Sequence, residues 1–245
     1  MKILLAPSES KVDGGVGEFQ LDKLLFKELL STRREIIDEY HKIVSTKDLD
    51  ILKKLFGLKK ESDIARYTNH IDKLPTLKAI ERYSGVVYKY LDYKTLSSGQ
   101  KSFLDSNVII FSNLFGFLRA DDMIPTYRLK QKESINSIEV DKVYKKHSYL
   151  LDEYLKDEEI LDLRALYYEN FYKIRKPYTT LKFIKDGKVV SHWAKAYRGI
   201  VLRDIAKKGI SSLDEFYKSN IYGLSIVEIL QHKHKTEIIY NIEES

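Results

Sequence analysis

Apolar residues along the chain fall into two kinds of pattern. Lys2-Ile-Leu-Leu-Ala6 is a short unbroken apolar run stopped by Pro7, and Asn107-Val-Ile-Ile-Phe-Ser112 is a second. Runs of this length with β-prone content predict buried strands of a sheet covered on both faces. Ile160-Leu-Asp-Leu163 predicts another strand. Thr179 to Ala194 predicts a hairpin, because Asp186-Gly187 separates two β-prone stretches, and Glu237-Ile-Ile-Tyr240 predicts a last strand. The second pattern is helical. Ile36, Ile37, Tyr40, Ile43 and Val44 recur at helical period behind Thr32-x-x-Glu35, whose spacing is that of a capping box, so a helix is expected to open there and close near Ser45. Leu49, Leu52, Leu55 and Phe56 predict a second helix stopped by Gly57. Thr76 to Tyr90 and Val140 to Leu155 predict two more, and Ser212-x-x-Glu215 opens a late one. No repeat or flexible hinge divides the chain. The expectation is one domain over residues 1–245, of α/β (mixed α+β) class, with a mixed central sheet flanked by helices.

Composition narrows the picture. Only 11 glycines and 4 prolines in 245 residues leave little room for irregular stretches, and 43% hydrophobic content suffices for a large core. With no cysteine, disulfides, thiolate zinc sites, iron–sulfur clusters and cysteine nucleophiles are excluded together. No window approaches the roughly 18 apolar residues of a membrane helix, and Met1 to Pro7 is not an export signal. A soluble cytoplasmic protein with no membrane partner is expected.

The net charge of +6 is unevenly placed. Leu161 to Lys235 holds 15 Lys or Arg against 7 Asp or Glu. Between Phe171 and Lys208, 11 basic residues face only Asp186 and Asp204. A field of one sign attracts polyanions such as nucleic acid. A solvated lysine-rich face would have the same letters.

The phosphate-loop, dinucleotide, zinc-protease and nucleophile-elbow signatures are absent, and no cofactor is called for. His232-Lys-His234 has no third ligand close by, so no metal site is expected. What stands out is the material behind each strand. Pro7-Ser-Glu9-Ser-Lys11 follows the first, Asn113 through Arg128 follows the Asn107 run, Arg164-Ala-Leu-Tyr-Tyr168 follows the third, and Ser191 through Gly199 follows the hairpin. In open α/β sheets ligands bind beyond the carboxyl ends of the strands. Convergence there would assemble Lys11, Arg119, Arg128, Arg164, Lys195, Arg198 and, further along the same segment, Arg203 into an anion site, with Glu9, Asp121 and Asp122 as its only acids. Taken singly, each cation could equally be a surface or helix-pair residue. Tyrosine is also frequent, at 18 residues, and aromatics among Lys and Arg can stack bases, although most tyrosines edge a core. Leu52-Lys-Lys-Leu-Phe-Gly57-Leu-Lys-Lys60 followed by Ala65 matches a helix–hairpin–helix arrangement weakly, and a plain αα corner has the same letters.

Gly85-Val-Val-Tyr88, Asn113-Leu-Phe-Gly116-Phe-Leu-Arg119-Ala-Asp-Asp122-Met-Ile-Pro-Thr-Tyr127-Arg128-Leu129, Phe183 through Lys188 and Ser191-His-Trp-Ala-Lys195-Ala-Tyr-Arg198-Gly199 together resemble the bacterial YaaA peroxide-stress family, in order from the first strand to about Tyr222. The resemblance implies a single-domain cytoplasmic α/β protein that binds DNA and limits damage under hydrogen peroxide stress. It also implies a helix–hairpin–helix-like element, placed at Leu52 to Ala65. The chain departs from the pattern at Pro7-Ser-Glu-Ser-Lys11, where the branch with the described stress role begins Pro-Ala-Lys, and at Asp162-Leu-Arg164-Ala, which replaces Asn-Leu-Ala-Ser.

Two readings follow. In one, the chain binds double-stranded or distorted DNA through Arg119, Arg128, Arg164, Lys195, Arg198 and Arg203. In the other, it is an enzyme acting on a small anionic or nucleotide-like ligand. Glu9 or Asp122 would then be general base, Lys11 or Lys195 nucleophile or electrostatic stabiliser, and Tyr88 or Tyr127 proton donor. A shared concave pocket would favour the enzyme; an open basic stripe would favour the binding module.

Overall fold

The computed structural model describes residues 1–243, without the side chains of residues 191 and 192. β1 (Lys2–Leu5) is buried along its apolar residues. A long loop and two 3-10 turns, Leu21–Lys23 and Lys27–Leu29, lead into α1 (Leu30–Ser45). The expected capping box does not form. The helix starts at Leu30, Leu29 occupies the cap position without a side-chain bond, and Thr32 lies inside the first turn with its hydroxyl against His147 Nε2 at 3.2 Å. The preceding 3-10 turn already directs the chain into the helix, which leaves Thr32 free for that long-range contact.

α2 (Leu49–Phe56) is capped by the Asp48 side chain and stopped by Gly57 at φ 64, followed by α3 (Glu61–Ala65). The end of α2 is tied inward, since Phe56 O accepts from Arg128 Nε at 2.8 Å and Leu55 O accepts from the Lys130 N–H at 2.9 Å, while Gly57, Lys59 and Lys60 of the turn are exposed. This is the geometry of an αα corner sealed onto the 128–130 segment.

The single helix expected over Thr76 to Tyr90 is replaced by three pieces. β2 (Thr76–Lys78) runs into α4 (Ala79–Arg82), and α5 (Val86–Leu91) follows after Tyr83-Ser84-Gly85. Strand pairing with Met123–Pro125 takes the first three residues, so tertiary contact overrides their helical periodicity. The helix ends at Arg82 where Tyr83 turns extended, and it restarts after Gly85, where a Cβ would lie 2.3 Å from Ser8 Oγ. α6 (Ser98–Asn107) carries a full capping box from Ser97 and Gln100 and delivers the chain to β3 (Val108–Ser112), buried at every position. β4 (Gly116–Arg119) returns beside it and β5 (Met123–Pro125) pairs with β2. The Val140 to Leu155 stretch is α7 (Val140–Lys146) and α8 (Tyr149–Tyr154), broken at His147-Ser148.

β6 (Ile160–Leu163), β7 (Tyr178–Lys185) and β8 (Lys188–Val189) come next, the last two joined at Asp186-Gly187 as expected. α9 (Ser191–Lys208) and α10 (Leu213–Lys218), the latter with the expected Ser212–Glu215 capping box, precede β9 (Leu224–Gln231) and β10 (Lys235–Ile242). β9 was not anticipated. Its exposed Ile226, Val227 and Ile229 interleave with polar residues at an edge, where neither strand nor helix period stands out.

The main sheet runs β4-β3-β1-β6-β7-β10-β9 with β8 beside β7. β3, β1, β6, β7 and β10 are mutually parallel, while β4 and β9 are antiparallel at the two edges. Together with the helices this is the mixed α/β architecture expected. Among the described residues, no helix is long and apolar enough to cross a membrane.

Two fully buried arginines bolt loops to the sheet through carbonyls. Arg33 donates to the Phe115, Phe117 and Phe26 carbonyls at 2.9, 2.7 and 3.2 Å. Arg82 donates to Ile124, Val12, Gly14 and Pro75 at 3.1, 2.6, 2.9 and 2.9 Å, tying the loop after β1 to the small sheet. Replacing Arg82 with Met strands four carbonyls away from water, and we expect urea denaturation to show a loss of about 3 kcal/mol or more; an unchanged midpoint would show that water replaces the guanidinium without cost.

Candidate functional site

The chain leaves β1 toward β3 on one side and returns to β6 on the other. That reversal opens a crevice at the carboxyl ends of β1 and β6, the place where parallel sheets bind ligands. A cleft of about 430 Å³ lies there. Ser8, Glu9 and Ser10 after β1 and Leu163 and Ala165 around the end of β6 form its floor and one side. Gly85 to Tyr88 at the start of α5, Tyr168, Gln131, and Lys195 and Arg198 of α9 complete it.

The helical spacing of Lys195 and Arg198 puts both on the face of α9 that looks into the cleft. Gly199 lets α9 approach closely, since a Cβ there would lie 2.2 Å from the Val87 carbonyl oxygen. Arg203 fixes the same contact further along. Its guanidinium donates to Leu91 O, Asp92 O and Thr95 Oγ1 at 2.7, 2.9 and 2.7 Å, so it caps the end of α5 and does not face the cleft.

Among the described residues, neither Lys195 Nζ nor the Arg198 guanidinium has a hydrogen-bond or ion-pair partner. Lys195 is exposed and Arg198 partly buried. Burial lowers the Arg198 pKa, and Asp162 offsets this only in part. Asp162 is otherwise committed: both its oxygens hold Arg164 at 2.8 Å, and the same guanidinium donates to Tyr168 O and Tyr172 O and lies 4.4 Å above the Phe111 ring. Arg164 is therefore a buried brace beneath the site.

Glu9 lines the cleft and is held from behind by Arg128. Arg128 donates to Glu9 O and Glu9 Oε2, each at 3.0 Å, and the Gln131 N–H donates to Glu9 Oε1 at 3.0 Å. Lys11 lies behind this turn, donating to Ser8 O at 3.0 Å with its ammonium 3.8 Å from the centre of the Tyr127 ring. Burial pulls the Lys11 pKa well down, Arg128 and Arg82 add to the effect, and Glu9 opposes it. Tyr127 O–H and Tyr83 O–H share a bond at 2.9 Å, and Tyr127 meets Ser112 Oγ at 2.8 Å. Ser112 Oγ already accepts from the Leu114 and Phe115 N–H groups, so its own proton points to Tyr127. Burial raises the pKa of Tyr88 and Tyr127 well above the ordinary phenol value, and both stay protonated.

Arg119 and Asp122 are not part of this assembly. β4 runs antiparallel to β3, so Arg119 sits opposite Ile109, at the far edge of the sheet from the cleft. There Arg119 pairs with Asp121, and Asp122 accepts from the Arg119 and Leu25 N–H groups at 2.9 and 3.0 Å. These residues line a separate hollow of about 470 Å³ with Glu18 and Lys23. The convergence expected from strand ends thus holds for the segments after β1 and β6 and for α9, with Arg128 and Tyr127 backing the cleft from the 113–128 segment, and fails for the residues that segment carries on an antiparallel strand. Ser8, Gln131, Ala165 and Tyr168 also shape the cleft without having been nominated individually. Tyr168 belonged to the tyrosine cluster, whereas Gln131 carries no signal in the sequence.

A family model described as peroxide stress protein YaaA matches residues 1–230. The chain belongs to this family. An uncharacterized protein of Campylobacter jejuni is 42% identical over 244 residues, covering 99% of both chains. A UPF0246 protein of Corynebacterium glutamicum is 31% identical over 251 residues, 98% of this chain and 100% of its own. One of Fusobacterium nucleatum is 29% identical over 239 residues, 92% and 93%.

Desolvation pushes Asp122 up to about 6, above an unfolded value near 4. The folded state therefore binds the extra proton between those values, and stability from this group, full below about pH 4, declines as pH rises toward 6. Equilibrium unfolding of Asp122→Asn across pH 4–7 is expected to lack that decline; an unaltered profile would mean that the backbone N–H bonds hold the carboxyl ionised.

Proposed function

We propose that this peroxide-stress family member binds a small phosphate- or carboxylate-bearing substrate in the β1/β6 cleft and acts on it as an enzyme. The observation that carries the reading is the pair Lys195 and Arg198, cations with no hydrogen-bonded or ion-paired protein anion among the described residues, one of them partly out of water. An uncompensated buried charge is destabilising unless something of opposite sign arrives. Arg198 supplies planar two-point recognition and Lys195 a mobile point charge at the mouth. Glu9 is the carboxylate in reach for proton transfer, held in place by Arg128 and the Gln131 N–H. Lys11, covered by Ser8, Glu9 and Tyr127, positions that turn from behind.

DNA binding in the peroxide-stress response is the second reading and would use the same two side chains. Exposed Lys173, Lys188 and Lys207, cations of the same basic stretch, favour it as backbone contacts. Other cations of the basic stretch are engaged locally. Lys176 holds the Leu155, Lys156 and Glu158 carbonyls, Arg175 faces Asp152, and Lys208 pairs with Asp204. This reduces the open stripe that a duplex needs, and the concave site takes precedence.

The test is a trade between stability and binding. Arg198→Met removes the desolvated charge, and its thermal midpoint without ligand should rise by about 2–4 °C, the equivalent of about 1 kcal/mol in a chain of this size. Wild type should gain stability with added inorganic phosphate while the variant does not. An equal response of both proteins to phosphate would defeat the reading. Duplex binding that falls steeply with salt and is lost in Lys195→Ala/Arg198→Ala, without a phosphate response, would favour DNA.

A further inference from the structure

The cleft holds charges of both signs at separate places. α9 presents Lys195 and Arg198, and the β1 turn presents Glu9, whose side chain keeps 37% of its surface open. Each Glu9 oxygen has one protein donor, Arg128 for Oε2 and the Gln131 N–H for Oε1. A carboxylate offers about four acceptor positions, so roughly two remain, and they can be filled only by hydrogen-bond donors. A second anionic group would be repelled there. Val86, Val87, Leu163, Ala165, Tyr88 and Tyr168 supply the apolar and aromatic part of the lining. The two phenol groups are occupied, Tyr88 on the Ala6 carbonyl at 2.8 Å and Tyr168 on Asn113 Oδ1 at 3.1 Å, so these two residues offer a ligand ring surface, beside the polar Ser8, Ser10 and Gln131. A volume near 430 Å³ also exceeds what an isolated phosphate would occupy.

The geometry points to a phosphomonoester whose other end carries neighbouring hydroxyl groups, a pentose 5-phosphate or a nucleoside 5′-phosphate, with the phosphate on Arg198 and Lys195 and the hydroxyls on Glu9. This rests on the anion-binding reading above and adds a second recognition pole. Hydroxyl recognition by a carboxylate discriminates sharply, because a ligand lacking the hydroxyl leaves the acceptor unpaired. The same chemistry is offered by a free nucleotide and by the 5′-phosphorylated end of a nucleic-acid strand.

Calorimetric titration of the full chain with inorganic phosphate, ribose 5-phosphate, 2-deoxyribose 5-phosphate, adenosine 5′-monophosphate and a 5′-phosphorylated ribo-oligonucleotide separates these cases. Ribose 5-phosphate is expected to bind about tenfold more tightly than phosphate and clearly more tightly than its deoxy analogue. In Glu9→Gln that preference should shrink to about twofold while phosphate still binds. The comparison of the two sugars on wild type needs no variant and stands even if Glu9→Gln fails to fold. Tighter binding of the oligonucleotide than of the mononucleotide would assign the ligand to a strand end, and the reverse to a free nucleotide. Phosphate binding that depends on Arg198 but gains nothing from the hydroxyls overturns the second pole and leaves the anion site standing. Absence of phosphate and sugar-phosphate binding overturns both.

Discussion

Parallel pairing of β1 with β3 on one side and β6 on the other is the constraint on which the remaining arrangement depends. Parallel neighbours bring their carboxyl ends to one edge, and the chain cannot connect them there by tight turns. The loops behind β1 and β6 therefore diverge, and the gap is roofed by helices that come from elsewhere in the chain, α5 and α9. Antiparallel β4 is the contrasting case. Its carboxyl end points the other way, so its charged end serves a different part of the molecule.

The arginines divide according to what surrounds them. Arg33, Arg82, Arg128, Arg164 and Arg203 spend their donors on backbone carbonyls, with carboxylates assisting Arg128, Arg164 and Arg203. Arg33, Arg82, Arg128 and Arg203 tie together segments that are distant in sequence, while Arg164 braces its own neighbourhood from Asp162 to Tyr172. A planar five-donor group suits this, because loop carbonyls near a sheet edge have no ladder partner and would otherwise be buried unmade. Arg198 differs in bonding no carbonyl among the described residues, although its residue type and its neighbours in sequence are unexceptional.

That distinction explains what could be read from sequence. The strands at Lys2, Asn107, Ile160 and Thr179 and the last strand were legible because unbroken apolar runs and a turn dipeptide are local signals, as were the Gly57 stop and the Ser212 capping box. The break of Thr76 to Tyr90 and the entry to α1 were not, since pairing with β5 and the contact of Thr32 with His147 depend on residues far along the chain. For the site, strand-end position grouped Glu9, Lys195 and Arg198, which line one cleft, with Lys11 and Arg128, which sit behind its Glu9 turn. It could not separate cations committed to carbonyls from those left open, and it misplaced Arg119 and Asp122 because strand direction is a property of the sheet and not of the run.

The Gly199 contact sets the gauge of the cleft mouth. α5 carries one lip and α9 the other; a Cβ at Gly199 would lie 2.2 Å from the Val87 carbonyl oxygen, and Arg203 ties α9 to the end of α5. Such an opening behaves like a fixed caliper. Guests would be sorted by girth before any charge is matched, and drift in the surrounding loops could alter chemistry inside without changing the size class admitted.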